Sequence, residues 1–168
     1  MKFHALKVLD VIHETPDAFT IKLEKPADEA FNYTAGQYLT IRADVHGQDE
    51  RRAYSLSSSP VADDHLSVTI KAISDGKVSN YLKNTLEPGD QLEVFPPMGK
   101  FLLKPDPGAA RHHIMIAGGS GITPVMSMIK TALLQEPKSK ITLIYSNSTE
   151  NDIIFKDQLD ELQQKNAD

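Results

Sequence analysis

Three short segments of the 168-residue chain combine residue types that could bind a phosphate-bearing ligand. The first is Arg52-Ala53-Tyr54-Ser55, where a guanidinium could hold a phosphate by paired hydrogen bonds and a phenol ring could lie against a flat heterocycle. Alternate side chains of a strand share a face, so Arg52 and Tyr54 should point to one side and Ala53 and Ser55 to the other. An exposed strand with an ion pair and a core tyrosine explains these four residues equally well.

The second segment, Asp75-Gly76-Lys77-Val78-Ser79, follows a strand and leads into a short helix. Glycine lets the backbone approach a ligand closely, and the unpaired N–H groups at a helix N-terminus favour an anion. Taken alone, a turn glycine at Gly76 and a helix cap at Ser79 are the simpler interpretation.

The third segment, Ala117-Gly118-Gly119-Ser120-Gly121-Ile122-Thr123-Pro124, joins a buried strand to a helix. A glycine turn at the carboxyl end of a parallel strand is where α/β folds bind nucleotides, although a merely tight turn stays possible. Thr123 is the expected N-cap and Pro124 the expected first helical residue. After the next strand, Ser146-Asn147-Ser148 should lie beside a nucleotide ribose. With neither an acidic residue nor an arginine there, the choice between NADH and NADPH stays open.

Two kinds of hydrophobic period predict two architectures in succession. Period-two alternation up to about Phe101 predicts an antiparallel β-barrel with the strands Leu6–Ile12, Phe19–Glu24, Gln37–Arg42, Arg52–Leu56, Leu66–Ile73 and Gln91–Phe95. A short helix, Val78–Leu86, interrupts the strands. After Pro105-Asp106-Pro107-Gly108 the pattern becomes β-α-β-α, with the strands His113–Ala117 and Ile141–Tyr145, a helix Pro124–Gln135 and a helix from about Asp152.

The predicted fold class is therefore β plus α/β, a six-stranded antiparallel barrel followed by an incomplete parallel α/β nucleotide-binding domain. We expect residues 1–107 to form the barrel domain and residues 111–168 the first part of the second domain. The strand His113–Ala117 should be buried on both faces, because it is apolar throughout. Two parallel strands leave open sheet edges, which predicts a longer protein or a partner, such as a second copy, that completes the sheet.

Composition excludes several classes of protein. The chain has no cysteine and therefore no disulfide, thiolate nucleophile or iron–sulfur ligand of its own. A net charge of −5 without a basic run argues against nucleic-acid binding. Apolar stretches are too short to span a membrane and the N-terminus does not resemble a signal peptide, so a cytoplasmic location is expected. The six histidines are scattered, which disfavours a metal site.

In this order and spacing, the three segments resemble the ferredoxin–NADP reductase superfamily. Tyr33-Thr34-Ala35-Gly36-Gln37-Tyr38 and Pro97-Met98-Gly99-Lys100-Phe101 match it as well, so the resemblance spans nearly the whole chain. Within the superfamily, the chain is most similar to the reductase components of phenylacetyl-CoA epoxidase and related oxygenases.

The resemblance implies FAD on the barrel and NAD(P)H on the α/β part. It implies that Arg52 binds the flavin diphosphate, that Tyr54 lies against the flavin beside Ala53, and that Ser55 bonds near the reactive nitrogen. Further flavin contacts would come from Ile70, Lys71 and Ala72 through the backbone and from Gly76, Lys77, Val78 and Ser79 at the diphosphate. The nicotinamide nucleotide would be bordered by Gly118, Gly119, Ser120, Gly121, Thr123 and Pro124. Ser55 and Thr123 would be the catalytic residues.

The implied activity is that of an NAD(P)H oxidoreductase, which passes a hydride to FAD and then single electrons to an iron–sulfur or oxygenase acceptor. Two family features are missing, a Cys-Gly segment late in the nucleotide domain and a plant-type 2Fe–2S domain. We therefore expect FAD binding with weak or no NAD(P)H oxidation, and a cluster only if a further domain exists. The alternative is a non-catalytic barrel that binds another phosphate ligand or a partner protein. The flavoprotein interpretation depends on whether Arg52 and the segment around Lys77 face one another, because both should bind the same diphosphate.

Overall fold

Six antiparallel strands form one sheet in the first part of the molecule. The computed structural model describes residues 2–166 and gives the strands as β1 (His4–His13), β2 (Ala18–Leu23), β3 (Tyr38–Val45), β4 (Gln48–Ser55), β5 (Leu66–Lys71) and β6 (Gln91–Met98). Their spatial order is β4-β3-β6-β1-β2-β5. Helix α1 (Lys77–Thr85) lies between β5 and β6 in the chain. The predicted six-stranded antiparallel architecture is confirmed.

The sheet is barrel-like rather than closed along its whole length. Its edge strands β4 and β5 approach at one end, where Leu56 pairs with Val68 and the Ser57 amide donates to the Ser67 carbonyl at 2.8 Å. Alternate residues point inward and fill the interior with fully buried side chains, including those of Phe19, Ile21, Leu23, Leu39, Ile41 and Val94.

The β3–β4 hairpin decides which side chains of β4 face inward. Its turn lies at His46-Gly47, where both residues have positive φ. The register pairs the buried Ile41 with Arg52 and the buried Ala43 with Glu50. Directly opposed residues share a face of the sheet. The inner face of β4 therefore carries Gln48, Glu50, Arg52 and Tyr54.

The second part of the molecule is a small parallel α/β unit. It consists of β7 (His112–Gly118), α2 (Ile122–Gln135), β8 (Lys140–Ser146) and α3 (Lys156–Lys165). Strands β7 and β8 pair in parallel, as predicted. Both helices pack against one face of this sheet, around a core that includes Ala117, Ile122, Met126, Ile129, Ile154 and Phe155.

The prediction that the first of these strands is buried on both faces is wrong. Met115 and Ala117 pack into the core, but Ile114 and Ile116 are 64% and 73% exposed, and Ile144 on β8 is 54% exposed. Both helices lie on the same face, so the other face of the pair is uncovered in the part of the chain that the structure describes.

Two predicted helix starts are also wrong. Helix α2 begins at Ile122 with Gly121 as its N-cap, so Thr123 and Pro124 lie inside the first turn. The Thr123 hydroxyl donates back to the Ser120 carbonyl at 2.7 Å. Helix α3 begins at Lys156 rather than near Asp152, because a 3-10 turn, Glu150–Asp152, precedes it.

A buried seam of hydroxyl groups joins the barrel to α2. Ser59 Oγ and Thr131 Oγ1 are 2.8 Å apart, and Ser127 donates to the Ser58 carbonyl. All four residues are buried. Ser58 and Ser59 lie in the segment after β4, beyond Leu56 and Ser57, whereas Ser127 and Thr131 share one face of α2 at an i, i+4 spacing. The seam therefore connects the strand of the arginine segment to the helix that follows the glycine turn.

Candidate functional site

Arg52 and the start of α1 meet at one carboxylate. Glu50 Oε2 lies 3.1 Å from Arg52 Nη1, and Glu50 Oε1 lies 3.6 Å from Lys77 Nζ. Lys77 Nζ also donates to Gln48 Oε1 at 3.3 Å. The two segments therefore face the same place, which we call the β4–α1 junction, defined by Gln48, Glu50 and Arg52 of β4 and by Gly76–Ser79 at the start of α1.

The start of α1 leaves its first amides available to a ligand. The N-cap Gly76 provides no side-chain hydrogen bond. The amides of Lys77, Val78 and Ser79 belong to the first turn, and the N–H groups of a first turn have no acceptor within the helix. Ser79 does not cap the helix; its Oγ lies 3.5 Å from the Gly76 carbonyl. A Cβ on Gly76 would stand 2.3 Å from Ser79 Oγ and 2.8 Å from Ile73 Cγ1, so a larger residue there would require both side chains to move.

Tyr54 continues the inner face of β4 beyond Arg52. Its ring is half-buried against the barrel core, and burial raises the pKa of its phenol while the charge of Arg52 lowers it. Ala53 and Ser55 lie on the opposite face, where the register sets them beside Thr40 and Tyr38. The alternation predicted for the four residues is therefore present. Ser55 is the last residue of β4, so a ligand on the inner face reaches it only around the strand end.

Strand β5 neighbours β4 and the glycine turn. The Ile70 side chain is buried in the core, so only its backbone can face a ligand. The Ala72 amide already donates to the Asp17 carbonyl at 2.7 Å and is not free to bind a flavin. Lys71 Nζ lies 3.4 Å from Asp152 Oδ1, which ties β5 to the α/β unit.

The glycine turn after β7 presents bare backbone to solvent. Gly118, Ser120 and Gly121 are exposed, and Gly119 has φ +49, a conformation that favours glycine. Gly121 has φ −61, and a Cβ there would meet nothing within 4 Å. Nothing in the described chain therefore requires glycine at position 121, whereas a ligand lying against the backbone would.

Two polar residues lie beside this turn: Asn147, which belongs to the segment predicted to lie beside the ribose, and Tyr145, which was not identified from the sequence. Tyr145 stands opposite Ala117 in the parallel register and donates its hydroxyl to the Gly119 carbonyl at 2.9 Å. Burial raises the pKa of that phenol, although hydrogen bonds oppose the shift. Asn147 Oδ1 is buried without a hydrogen-bond partner in residues 2–166. The sequence feature that could have identified Tyr145 is its position near the end of β8.

Thr123 is not positioned as an open catalytic group. It is 3% exposed, and its hydroxyl hydrogen is used in the bond to Ser120. Pro124 is half-buried in the first turn of α2. Both residues hold the glycine turn against the helix in this conformation.

Two histidines that could have suggested a metal site have separate partners. His112 Nε2 lies 2.8 Å from Thr142 Oγ1, and His113 Nε2 lies 2.7 Å from Glu136 Oε2. They point to opposite faces of β7, as neighbouring side chains on a strand do.

An arginine-bearing barrel-like sheet followed by a glycine turn in a parallel α/β unit is the arrangement of two-domain oxidoreductases that bind a flavin and a nicotinamide nucleotide. Comparison of sequences agrees. Residues 5–102 match the family described as "Oxidoreductase FAD-binding domain", and residues 115–168 match "Oxidoreductase NAD-binding domain". The chain belongs to the oxidoreductase FAD-binding domain family.

Similar proteins include reductase components of oxygenases. One component of the 1,2-phenylacetyl-CoA epoxidase from Escherichia coli K12 is 39% identical over 165 residues, which cover 97% of this chain and 46% of that protein. The ferredoxin reductase component of 3-ketosteroid-9-alpha-monooxygenase from Rhodococcus rhodochrous is 41% identical over 165 residues, which cover 95% and 45%. The chain spans about half the length of the curated relatives it matches.

Solved structures show the same fold. A ferredoxin NADP+ reductase from Neisseria gonorrhoeae with bound FAD and NADP superimposes with a TM-score of 0.80 at 28% identity, covering 98% of this chain and 65% of that one. The predicted membership of the ferredoxin reductase-like flavoproteins is confirmed, as is the prediction of domains for FAD and for NAD(P)H. Among the described residues, no helix combines the length and the apolar character needed to cross a bilayer.

Proposed function

We propose that this chain binds FAD at the β4–α1 junction and NAD(P)H at the glycine turn, as part of an oxidoreductase that supplies single electrons to an acceptor protein. The observation that carries the proposal is the meeting of Arg52, Lys77 and the uncapped start of α1 around one anionic group. We take the division into residues 1–107 and 111–168 as the two domains of this function.

The residues at the junction fit a flavin carrying a diphosphate. Arg52 and Lys77 can neutralise its two charges, and the first amides of α1 can donate to its oxygens. Tyr54 offers a half-buried ring beside Arg52 on the same face, suited to a flat heterocycle. Glycine at position 76 allows the start of α1 to keep this conformation, since a Cβ there would displace the Ser79 side chain. Ser55 and the backbone of Ile70 and Lys71 would face the part of the ligand beyond the end of β4.

The glycine turn fits a second nucleotide. Open space over Gly119 and Gly121 allows a ligand to lie against the backbone, and Tyr145 holds the Gly119 carbonyl in place. The unpartnered Asn147 Oδ1 can accept a hydrogen bond from a ribose hydroxyl at the same edge of the sheet. Because β5 lies beside the turn, a nucleotide held there would end close to a flavin on the barrel.

A flavin held by these residues would supply the chemistry of accepting a hydride from NAD(P)H and of releasing the two electrons one at a time. The residues of this chain supply binding, orientation and charge. The buried hydroxyl seam between Ser58, Ser59 and α2 would keep the two nucleotide sites at a constant separation. By analogy with the names of the relatives, we assign an oxygenase component or an iron–sulfur protein as the acceptor.

Two neighbouring arginines provide a matched test of this function. Arg52 faces the junction, whereas Arg51 lies on the outer face and pairs with Asp49. FAD binding to the apoprotein is measured by the quenching of flavin fluorescence. We expect Arg52→Ala to weaken binding at least about thirtyfold, through the loss of charge-assisted hydrogen bonds worth about 2 kcal/mol or more. Arg51→Ala should change it less than about twofold. Equal effects of the two variants would contradict the assignment.

Turnover distinguishes binding from full activity. We expect the chain, supplied with FAD, to oxidise NADPH weakly or not at all. A rapid, saturable NADPH oxidation would show that the residues present are sufficient for the complete nucleotide site.

One face of the parallel sheet is uncovered in residues 2–166, which supports a homodimer. Ile114, Ile116 and Ile144 are exposed there, and a second copy would bury them. Sedimentation should therefore give a dimer at micromolar concentration, and a clean monomer would remove the proposal. We also propose a cytoplasmic location, which fractionation of the source cells tests.

A further inference from the structure

Glu50 lies between the two cations of the β4–α1 junction, at 3.1 Å from Arg52 Nη1 and 3.6 Å from Lys77 Nζ. Its side chain is only 18% exposed, whereas those of Arg52 and Lys77 are 50% and 61% exposed. The carboxylate is therefore the inner member of this cluster, and the cations lie between it and solvent.

Glu50 is also the only carboxylate in residues 2–166 that pairs with either cation. The other polar contacts of the two cations are with neutral atoms, namely Gln48 Oε1 for Lys77 and the Arg51 carbonyl for Arg52. Lys77 is itself the first residue of α1, whose N-terminus has no side-chain cap and favours negative charge. Two cations therefore contact one internal anion, and one of them, Lys77, is the first residue of a helix.

We propose that Glu50 sets the affinity of the flavin site: its carboxylate occupies the cationic junction of the ligand-free chain, and the diphosphate must displace it. The inference rests on the proposed function, because it assigns the competing anion as the diphosphate of FAD. A diphosphate diester carries two negative charges and seeks the same donors. The carboxylate and the diphosphate cannot both approach these cations closely without repelling each other.

Removal of the Glu50 charge should therefore tighten FAD binding. At low salt we expect the dissociation constant to fall about five- to tenfold, the size expected for one unit charge near a doubly charged group at the protein surface. The effect should shrink as salt rises, since partly exposed charges are screened. If Glu50 served only to orient Arg52 and Lys77, its removal would weaken binding instead.

The test compares Glu50→Gln with Glu93→Gln. Glu93 pairs with Arg42 on the outer face, so its replacement removes the same charge away from the junction. FAD dissociation constants are measured for both variants and for the wild-type chain at low and high salt. Glu50→Ala is a second variant, and urea unfolding verifies that each protein folds. We expect tighter binding for both Glu50 variants at low salt and a change below about twofold for Glu93→Gln.

The outcomes separate this inference from the proposed function. Unchanged or weaker FAD binding by the Glu50 variants overturns the inference, and so does equal tightening by Glu93→Gln, which would indicate an effect of net charge alone. If the wild-type chain binds FAD through Arg52 while the Glu50 variants bind no tighter, only the inference fails. If the wild-type chain and all variants bind no FAD, both fail.

Discussion

Replacement of Glu136 by Gln removes a buried charge at nearly constant volume. The Glu136 side chain has no exposed surface. Its Oε1 accepts hydrogen bonds from the Asp106 amide at 2.9 Å and from Arg111 Nη1 at 3.0 Å. Its Oε2 accepts from His113 Nε2 at 2.7 Å and from Ser139 Oγ at 2.8 Å. The carboxylate thus holds the segment before β7, β7 itself and the end of α2 together.

The expected loss of stability follows from these four bonds. A Gln amide has one acceptor oxygen and one NH2 group, and its best orientation turns the NH2 group toward His113 and Ser139. The His113 ring can change tautomer and the Ser139 hydroxyl can rotate, so both can become acceptors. The charge is still lost from the remaining bonds to Arg111 and the Asp106 amide. We therefore expect Glu136→Gln to lower the free energy of unfolding by about 2–3 kcal/mol.

Urea unfolding at neutral pH measures this loss. As a control, Glu161→Gln removes a carboxylate in an exposed i, i+4 pair with Lys165 and should cost less than about 0.5 kcal/mol. A loss below about 0.5 kcal/mol for Glu136→Gln would refute the role given to the buried carboxylate.

Acid provides an independent test of the same residue. Burial by itself raises the pKa of the Glu136 carboxyl, but hydrogen bonds from His113, the Asp106 amide and Ser139 lower it to about 2, against an ordinary value of 4.5. The pKa of Glu136 in the folded state lies below its value in the unfolded state. The ionised carboxylate therefore stabilises the fold fully above pH 4.5, and this contribution is lost as the pH falls toward 2. The difference in stability between the wild type and Glu136→Gln should therefore narrow across that window. A difference that stays constant there would contradict the explanation.

Three glycine substitutions carry further predictions. In urea unfolding, Gly36→Ala should lower the free energy of unfolding by at least about 2 kcal/mol, because the φ of Gly36 is +102 and a Cβ there would stand 2.1 Å from the Phe101 carbonyl oxygen. Gly89 has the same φ but lies in open space, so Gly89→Ala should lower it by only about 1 kcal/mol. Gly121→Ala should leave stability unchanged or slightly higher but weaken NADP binding measured by calorimetry; unaltered binding would argue against a nucleotide on that turn.

The arrangement of β4 was predictable from local pattern alone. Alternation in an extended segment requires Arg52 and Tyr54 to share a face, and the His46-Gly47 turn fixes the register that makes this the inner face. The fold class followed in the same way from the change of hydrophobic period near residue 105. These features depend on residues that are close together in the sequence, so the sequence alone is enough to predict them.

The partners of the functional segments were not predictable in that way. Glu50 reaches Lys77 only because α1 packs beside β4, and Glu136 collects donors from three separate segments. Such contacts depend on tertiary approach rather than on spacing in the sequence. Tyr145 was missed as well, because its role follows from the parallel register that sets it opposite Ala117.

The wrong predictions have equally specific causes. An apolar run such as His113–Ala117 does not reveal which of its faces is covered, and in the described chain both helices pack on the same one. Thr123 has the residue type of an N-cap, but the 3-10 turn Gly119–Gly121 continues directly into α2. The Thr123 hydroxyl therefore bonds to Ser120 from inside the helix.

The central claim is that Arg52 and the start of α1 bind one diphosphate, and comparison of FAD with riboflavin tests it most directly. Riboflavin shares the ring system of FAD but lacks its diphosphate and adenosine, so the ratio of the two dissociation constants contains the diphosphate contribution, and the part of the ratio that is lost in Arg52→Ala reports that contribution. We predict that the wild-type chain binds FAD at least about thirtyfold more tightly than riboflavin, and that Arg52→Ala removes most of this preference while leaving riboflavin affinity unchanged. An equal preference for FAD in the wild type and in Arg52→Ala would contradict the account.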